Sequence, residues 1–329
     1  MSSLIAWIIR AIPFGTIIMY GAMGETVTEK SGNLNLGVPG IMYLGGFAGF
    51  ASAFFYENNV ANPNAFVCIL LTLVSGIIAS MLGGLIFSFL TITLRANQNV
   101  TGLALTTFGM GVANFFGVFI LNGSAYSAAP FANSVYIRKI PVLSNLGAVG
   151  QTVFGYGFLA YVAIVLAILL HIFLNKTRVG LNLRAVGENP ATADAAGINV
   201  TMYKYLPTCI GAGVSGIGGL YYVLDYNSGI WATTGQIEAL GWLALALVIF
   251  TTWRPLNAIW GAYLFGVLYW LYQFLPSLLG FTVASYVTDL IQMVPYLVTI
   301  VVLIVTSLRK KKENQPPANL GLAYFREER

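Results

Sequence analysis

Charged side chains are nearly missing from this chain. Asp, Glu, Lys and Arg together make up 8% of its 329 residues, whereas a water-soluble domain carries roughly 25%. So thin a supply cannot cover a water-facing surface, and with 57% hydrophobic residues the outer surface is expected to meet lipid. Histidine occurs once, at His171, which leaves no second imidazole to share a metal or a proton relay. The two cysteines, Cys68 and Cys209, stand far apart inside apolar runs. Without CxxC spacing they suggest no metal or redox pair and read as small buried residues. No Gly-Lys pair occurs, so a phosphate-cradling G-x-x-x-x-G-K-[ST] loop is excluded. HExxH and Gly-x-Ser-x-Gly are absent too, and with them the hydrolases built on those motifs. No metal or cofactor is expected.

What the chain does have is long apolar runs. A bilayer core takes about 20 mostly apolar residues per helix. Nine runs qualify as candidates: residues 4–23, 38–56, 66–94, 101–121, 152–174, 203–224, 239–252, 256–276 and 286–308. The expected fold is an all-α integral membrane protein of about nine transmembrane helices, some short or broken. One membrane domain over residues 1–308 precedes a basic tail, 309–329. The seventh run is short, and the stretch 229–241 before it reads as irregular, which membranes tolerate only against protein or a cavity. No basic stretch precedes the first run and no small-residue cleavage site follows it, so it reads as a retained span.

Lys and Arg set the expected orientation. Arg309, Lys310, Lys311 and Lys312 follow the last run, Lys176, Arg178 and Arg184 lie in the connector 175–200, and Arg95 sits in the link after the third run. By the positive-inside rule these segments are cytoplasmic. Counting spans then places 57–64, 122–151 and the N-terminus outside, with Arg138 and Lys139 as exceptions. The net charge of +5 is thus a membrane flank and not a nucleic-acid surface. Glycines cluster inside the runs, as at Gly83-Gly84, Gly109, Gly111, Gly211, Gly213, Gly216, Gly218 and Gly219. Small residues let membrane helices approach closely.

Polar detail is concentrated in two places. In the connector, Asn189 suits a helix N-cap, Pro190 the first helical position and Gly197 a C-terminal stop. The Ala-rich body 191–196 between them predicts a helix of about two turns, too short to stand without packing. Its small residues Ala191, Ala193, Ala195 and Ala196 suit insertion into a partner's groove. In the link after the first run, Asn33 and Asn35 alternate with Leu34 and Leu36 before Gly37, an unwound approach to the second span where amides could meet a polar solute. Glu25, Glu29 and Lys30 read as pinning that turn. Asp225, Glu238 and Asp289 read as solvated span ends, and Tyr221, Tyr222, Tyr226 and Trp231 as an interfacial aromatic belt.

The stretches TRVGLNLRAVGENPATADAAGIN, residues 177–199, and GETVTEKSGNLNLGVPGIM, residues 24–42, resemble permease subunits of ATP-binding-cassette (ABC) importers. The likeness is to the group that carries ribose, branched-chain amino acids and nucleosides, and the second stretch resembles its nucleoside-type members. It runs from about residue 14 to 308. The chain departs from the nucleoside pattern at Pro39, where an acidic residue is usual, and at Thr251-Thr252, where Gly-Gly usually precedes Trp253-Arg254-Pro255.

The resemblance implies a transport subunit in a prokaryotic cell membrane that binds no ATP itself. Its implied partners are a separate ABC ATPase, an extracytoplasmic substrate-binding protein and a second permease subunit, identical or homologous. The implied cargo is a nucleoside, with a ribose-like simple sugar as the alternative. An ion-coupled secondary transporter is disfavoured, because the acids gather at span ends. On this reading Asn33, Asn35, Thr101 and Thr106 line the substrate path. Arg178, Arg184, Glu188, Asn189, Pro190, Ala193, Asp194, Ala196 and Gly197 form the coupling segment that meets the ATPase.

Overall fold

The computed structural model describes residues 3–120, 126–139, 147–232, 235–279, 285–309 and 315–325. Helix α1 (Ser3–Lys30) is about 42 Å long at 1.5 Å per residue, longer than a bilayer's apolar core. After a tight turn come α2 (Val38–Asn59), α3 (Ala65–Ser88) with a π-helical extension Phe89–Thr93, and α4 (Gln98–Ile120). A short strand β1 (Tyr126–Ala128) and the small helices α5 (Pro130–Tyr136) and α6 (Gly147–Phe154) lead to α7 (Phe158–Lys176). The connector holds α8 (Arg178–Glu188) and α9 (Pro190–Ala195). Then follow α10 (Val200–Tyr221), a π-helical segment Tyr222–Tyr226, strand β2 (Ile230–Ala232), α11 (Gln236–Phe250) and α12 (Pro255–Tyr269). The chain closes with α13 (Leu271–Leu279), α14 (Ser285–Gln292) and α15 (Val294–Arg309).

Among the described residues six helices are long and apolar enough to cross a membrane: α1, α2, α3 with its π extension, α4, α7, and α10 with its own. Helix α11 is a shorter apolar helix. Every one of the nine apolar runs holds a helix. The eighth is broken at Trp270 between α12 and α13, and the ninth at Met293 between α14 and α15. Pro295, two residues past that second break, suits the start of α15.

Helix α10 is the centre of the bundle and packs on α1, α2 and α3. Glycine makes that packing possible: a Cβ on Gly24 would collide with the Gly211 carbonyl, and a Cβ on Gly211 with the Gly24 carbonyl. The opposite faces of α3, α4 and α7 carry exposed Phe66, Leu70, Leu82, Phe115, Phe119 and Leu169, a surface that only lipid or another protein can cover.

The turns sort to two ends. At the connector end lie the α1–α2 turn, the link after α3, the connector itself, the α11–α12 turn and residues 315–325. They touch one another, as when Asn319 donates to the Gly187 carbonyl and Gly321 to that of Gly32. At the opposite end β1 pairs antiparallel with β2, Ala132 N donates to Glu57 Oε2, and Arg10 lies 5.2 Å from the Trp270 ring centre. The start of α1 is therefore at the end away from the connector. Lys30, Arg95, Lys176, Arg178, Arg184, Lys204 and Arg254 gather at the connector end, against Arg10, Arg138 and Lys139 at the other.

The aromatic-belt expectation is corrected. Tyr221, Tyr222 and Trp231 are buried, and Trp231 packs on Tyr43, Phe47 and Phe50. The β1–β2 pairing draws this segment inward, so these rings plug the bundle instead of ringing it. Asp225 is half-buried in its π-helical segment and not a freely solvated span end. The Asp289 side chain and Lys310–Lys312 lie outside the described residues.

Candidate functional site

The α1–α2 turn is built from its own polar side chains. Glu25 Oε1 accepts from the Asn35 backbone N at 2.9 Å, and Asn35 Oδ1 accepts from Gly37 N at 2.9 Å. Asn33 Nδ2 donates to the Lys204 carbonyl and to Thr208 Oγ1 of α10. Thr106 Oγ1 donates to the Leu36 carbonyl at 3.0 Å, and Gly102 of α4 touches the Leu36 backbone. Asn33 and Asn35 thus lie in one turn, and Thr106 reaches it from α4. Thr101 lines an apolar hollow with Phe87 and Leu105. Asn33 Oδ1 is buried with no partner.

The α11–α12 turn braces the same helix. Trp253 Nε1 donates to Glu29 Oε2, and Thr252 and Trp253 both take left-handed backbone angles, φ 54° and 55°. That conformation favours glycine and strains a β-branched residue, and Thr252 adopts it at the second position of the Gly-Gly that the resembling permeases carry.

In the connector, Thr177 Oγ1 caps α8 by accepting from Gly180 N at 3.0 Å, and Asn189 Oδ1 caps α9 by accepting from Thr192 N at 3.0 Å. Gly197 ends α9 at φ 81°. Helix α8 is absent from the sequence reading, because Gly180 and Gly187 lower helix propensity. Both glycines are present for contact: a Cβ at Gly187 would strike the Lys30 carbonyl and one at Gly180 the Phe173 carbonyl.

The two faces of α9 differ. Ala193 is buried among Val186 and Val200, with Ile198, Tyr203 and Tyr324 around them, so it faces its own chain. Thr192, Ala195, Ala196 and Gly197 face outward. Arg178 is exposed. Arg184 donates to Asn175 Oδ1 at 2.9 Å and, with Lys30, His171 and Arg254, lines a basic hollow of about 340 Å³.

A tail strap joins these parts. Residues 315–325 cross the connector end, where Tyr324 donates its hydroxyl to Asp194 Oδ2 at 2.9 Å and Ala318 N reaches Glu188 Oε2 at 3.4 Å. The strap, the connector, α10 and the link after α3 enclose a cavity of about 510 Å³. Asn33, Arg95, Asp194, Gly197, Lys204 and Tyr324 are in its wall. Of the residues read as substrate path Asn33 lies here, and of those read as coupling segment Asp194 and Gly197, while the others do not line this cavity. Lys204 and Tyr324 were missed in the sequence: an ionisable residue at the start of an apolar run passes as a flank, and nothing local marks a tail that folds back.

A glycine-packed bundle of apolar helices, with a capped and partly exposed helical connector at one end, defines a multi-pass membrane transport subunit. The sequence profile of the family described as "Branched-chain amino acid transport system / permease component" matches residues 7–303, and the chain belongs to that family. It is 30% identical over 292 residues, 88% of each chain, to the nucleoside ABC transporter permease protein NupC of Lactococcus lactis subsp. cremoris. It is 32% identical over 253 residues, 74% of this chain and 75% of the other, to the guanosine ABC transporter permease protein NupQ of Bacillus subtilis. A Haloferax volcanii protein whose name proposes glucose transport, the ABC permease TsgC13, is 32% identical over 253 residues, 77% of this chain and 72% of its own. No solved structure matches the chain. Membership of an ABC permease family implies partners of two general kinds, an ATPase and a solute-binding protein.

Proposed function

We propose that this chain is the permease of a prokaryotic ABC importer that carries nucleosides inward across the cell membrane. The observation that carries the reading is the match over most of the chain to two permeases named for nucleoside and guanosine transport, at 30% and 32% identity. The connector end is then cytoplasmic, in keeping with its excess of Lys and Arg. An ATPase on a separate chain docks against the outward face of α9, Thr192, Ala195 and Ala196, with Arg178 and Arg184 at the flank. A second permease subunit covers part of the exposed apolar surface, and a binding protein delivers solute at the opposite end.

Asn33 and Asn35 in the α1–α2 turn, Thr106 bonded to that turn and Thr101 on the same helix α4 are the residues assigned to the inner end of the path. Of the two asparagine side chains, Asn33 keeps an open acceptor, suited to a ribose hydroxyl or a base N–H. A simple-sugar reading is favoured by the likeness to TsgC13. Uptake of labelled uridine by the reconstituted complex, with ribose and glucose as competitors, separates the two. Uridine enters, and neither sugar competes, if the cargo is a nucleoside. Sugar uptake without uridine uptake or competition would refute it.

A further inference from the structure

The cavity beneath the tail strap has the chemistry of a binding site for an anion. Lys204 is 3% exposed, yet the hydrogen bond its ammonium makes is a long one, 3.4 Å, to the Leu322 carbonyl. Among the described residues no carboxylate pairs with it. Asp194, the acid in the cavity wall, accepts from Tyr324. A buried cation that no carboxylate pairs with among the described residues is costly, and the cavity it borders is open to a ligand that would supply a counter-charge.

Three further features converge there. Arg95 is held at the rim by a left-handed backbone, φ 59°, with its guanidinium 4.6 Å from the Phe325 ring centre. Val200 and Thr201, the first residues of the 22-residue helix α10, also line the cavity, so the positive end of its dipole points inward. Asn33 is fully buried, and its Oδ1 has no donor, so a ligand hydroxyl would complete it. A volume of about 510 Å³ lies within the roughly 300–1,000 Å³ of small-molecule sites.

We infer that Lys204, Arg95, Asn33 and the α10 N-terminus form a site for a small phosphate ester bearing a free hydroxyl, such as a sugar phosphate. The phosphate takes the two cations and the helix end, and the hydroxyl takes Asn33 Oδ1. Occupancy would tie the strap to α10 and to the α9 segment. The cations and the helix end stand whichever solute the chain transports, while Asn33 is shared with the path of the proposed function.

The test is thermal unfolding of the full chain in phosphatidylcholine nanodiscs with ribose 5-phosphate, inorganic phosphate, uncharged uridine, or sodium chloride at matched ionic strength. Ribose 5-phosphate is expected to stabilise the protein most, inorganic phosphate more weakly, uridine less than ribose 5-phosphate because it offers Asn33 a hydroxyl but no charge, and chloride not at all. Lys204→Met and, at the exposed rim, Arg95→Gln are each expected to weaken ribose 5-phosphate binding about tenfold or more. An equal shift with chloride, no shift with either phosphate, or full binding by both variants overturns the proposal. So does a phosphate response only in discs with anionic lipid, which would assign the cations to a headgroup.

Discussion

Two buried acids on α1 show how this chain uses its few charges. Glu25 accepts from the turn that follows and Glu29 from Trp253, so each is spent on holding a neighbouring turn. Trp253→Phe keeps most of the packing and removes the donor, leaving a buried carboxyl short of a partner. The expected cost is about 1–3 kcal/mol, read as earlier thermal unfolding in nanodiscs. Trp260→Phe, at a side chain 51% exposed, is the control and should change little. An unshifted unfolding curve for Trp253→Phe would count against the bracing role. Glycine supplies a second contrast. Gly24→Ala drives a methyl into the Gly211 carbonyl and Ser215, whereas Gly111→Ala meets nothing within 4 Å. Gly24→Ala is expected to destabilise by about 1–3 kcal/mol. Gly111→Ala should be neutral or stabilising by up to about 1 kcal/mol, and equal behaviour of the two would show that α1 and α10 are not closely seated.

At the scale of elements, the strap changes how the connector is understood. Asp194 and Glu188 are engaged by residues 315–325, and Ala193 is part of the packing beneath α9. A bulky residue at Ala193 would therefore disrupt the connector itself, while Ala195 and Ala196 offer the clean test of docking. Tyr324→Phe removes the hydroxyl that holds Asp194. Amides of residues 191–195 are expected to exchange hydrogen faster by roughly tenfold, the equivalent of about 1.4 kcal/mol. Unchanged exchange would mean that the strap does not hold α9. The caps of α9 were legible because Asn189, Pro190 and Gly197 act through local backbone geometry. Helix α8 was not, because its glycines answer to Lys30 and Phe173. The strap was not, because Asn319 and Gly187 are brought together only by the folded bundle.

For the whole molecule, hydropathy was informative because a bilayer constrains so much. Each of the nine runs holds a helix, since backbone polar groups in lipid must be satisfied within the segment. Among the described residues six of those helices are long and apolar enough to span. The short seventh run and its irregular approach correspond to α11, β2 and Gly229 at φ 71°. The burial of Tyr221, Tyr222 and Trp231 was illegible, because an aromatic cluster at a span end looks the same facing lipid or facing the bundle. The site was legible in part. Hydrophilic residues in the α1–α2 turn and the connector stood out from an apolar background, while the meeting of Asn33 with Asp194 and Gly197 at one cavity depends on contacts between α1, α10 and the tail.

The central claim is that an ATPase on another chain drives solute through this bundle by pressing on the outward face of α9. The most direct measurement is ATP-dependent uridine uptake by the reconstituted importer, comparing the native chain with Ala196→Trp at matched membrane content. Ala196 is exposed and ends a helix outside the bundle, so the variant is expected to insert and fold normally. The account predicts uptake by the native complex, loss of at least tenfold in Ala196→Trp, and a parallel fall in solute-stimulated ATP hydrolysis. Native uptake and native stimulated hydrolysis in Ala196→Trp would contradict it.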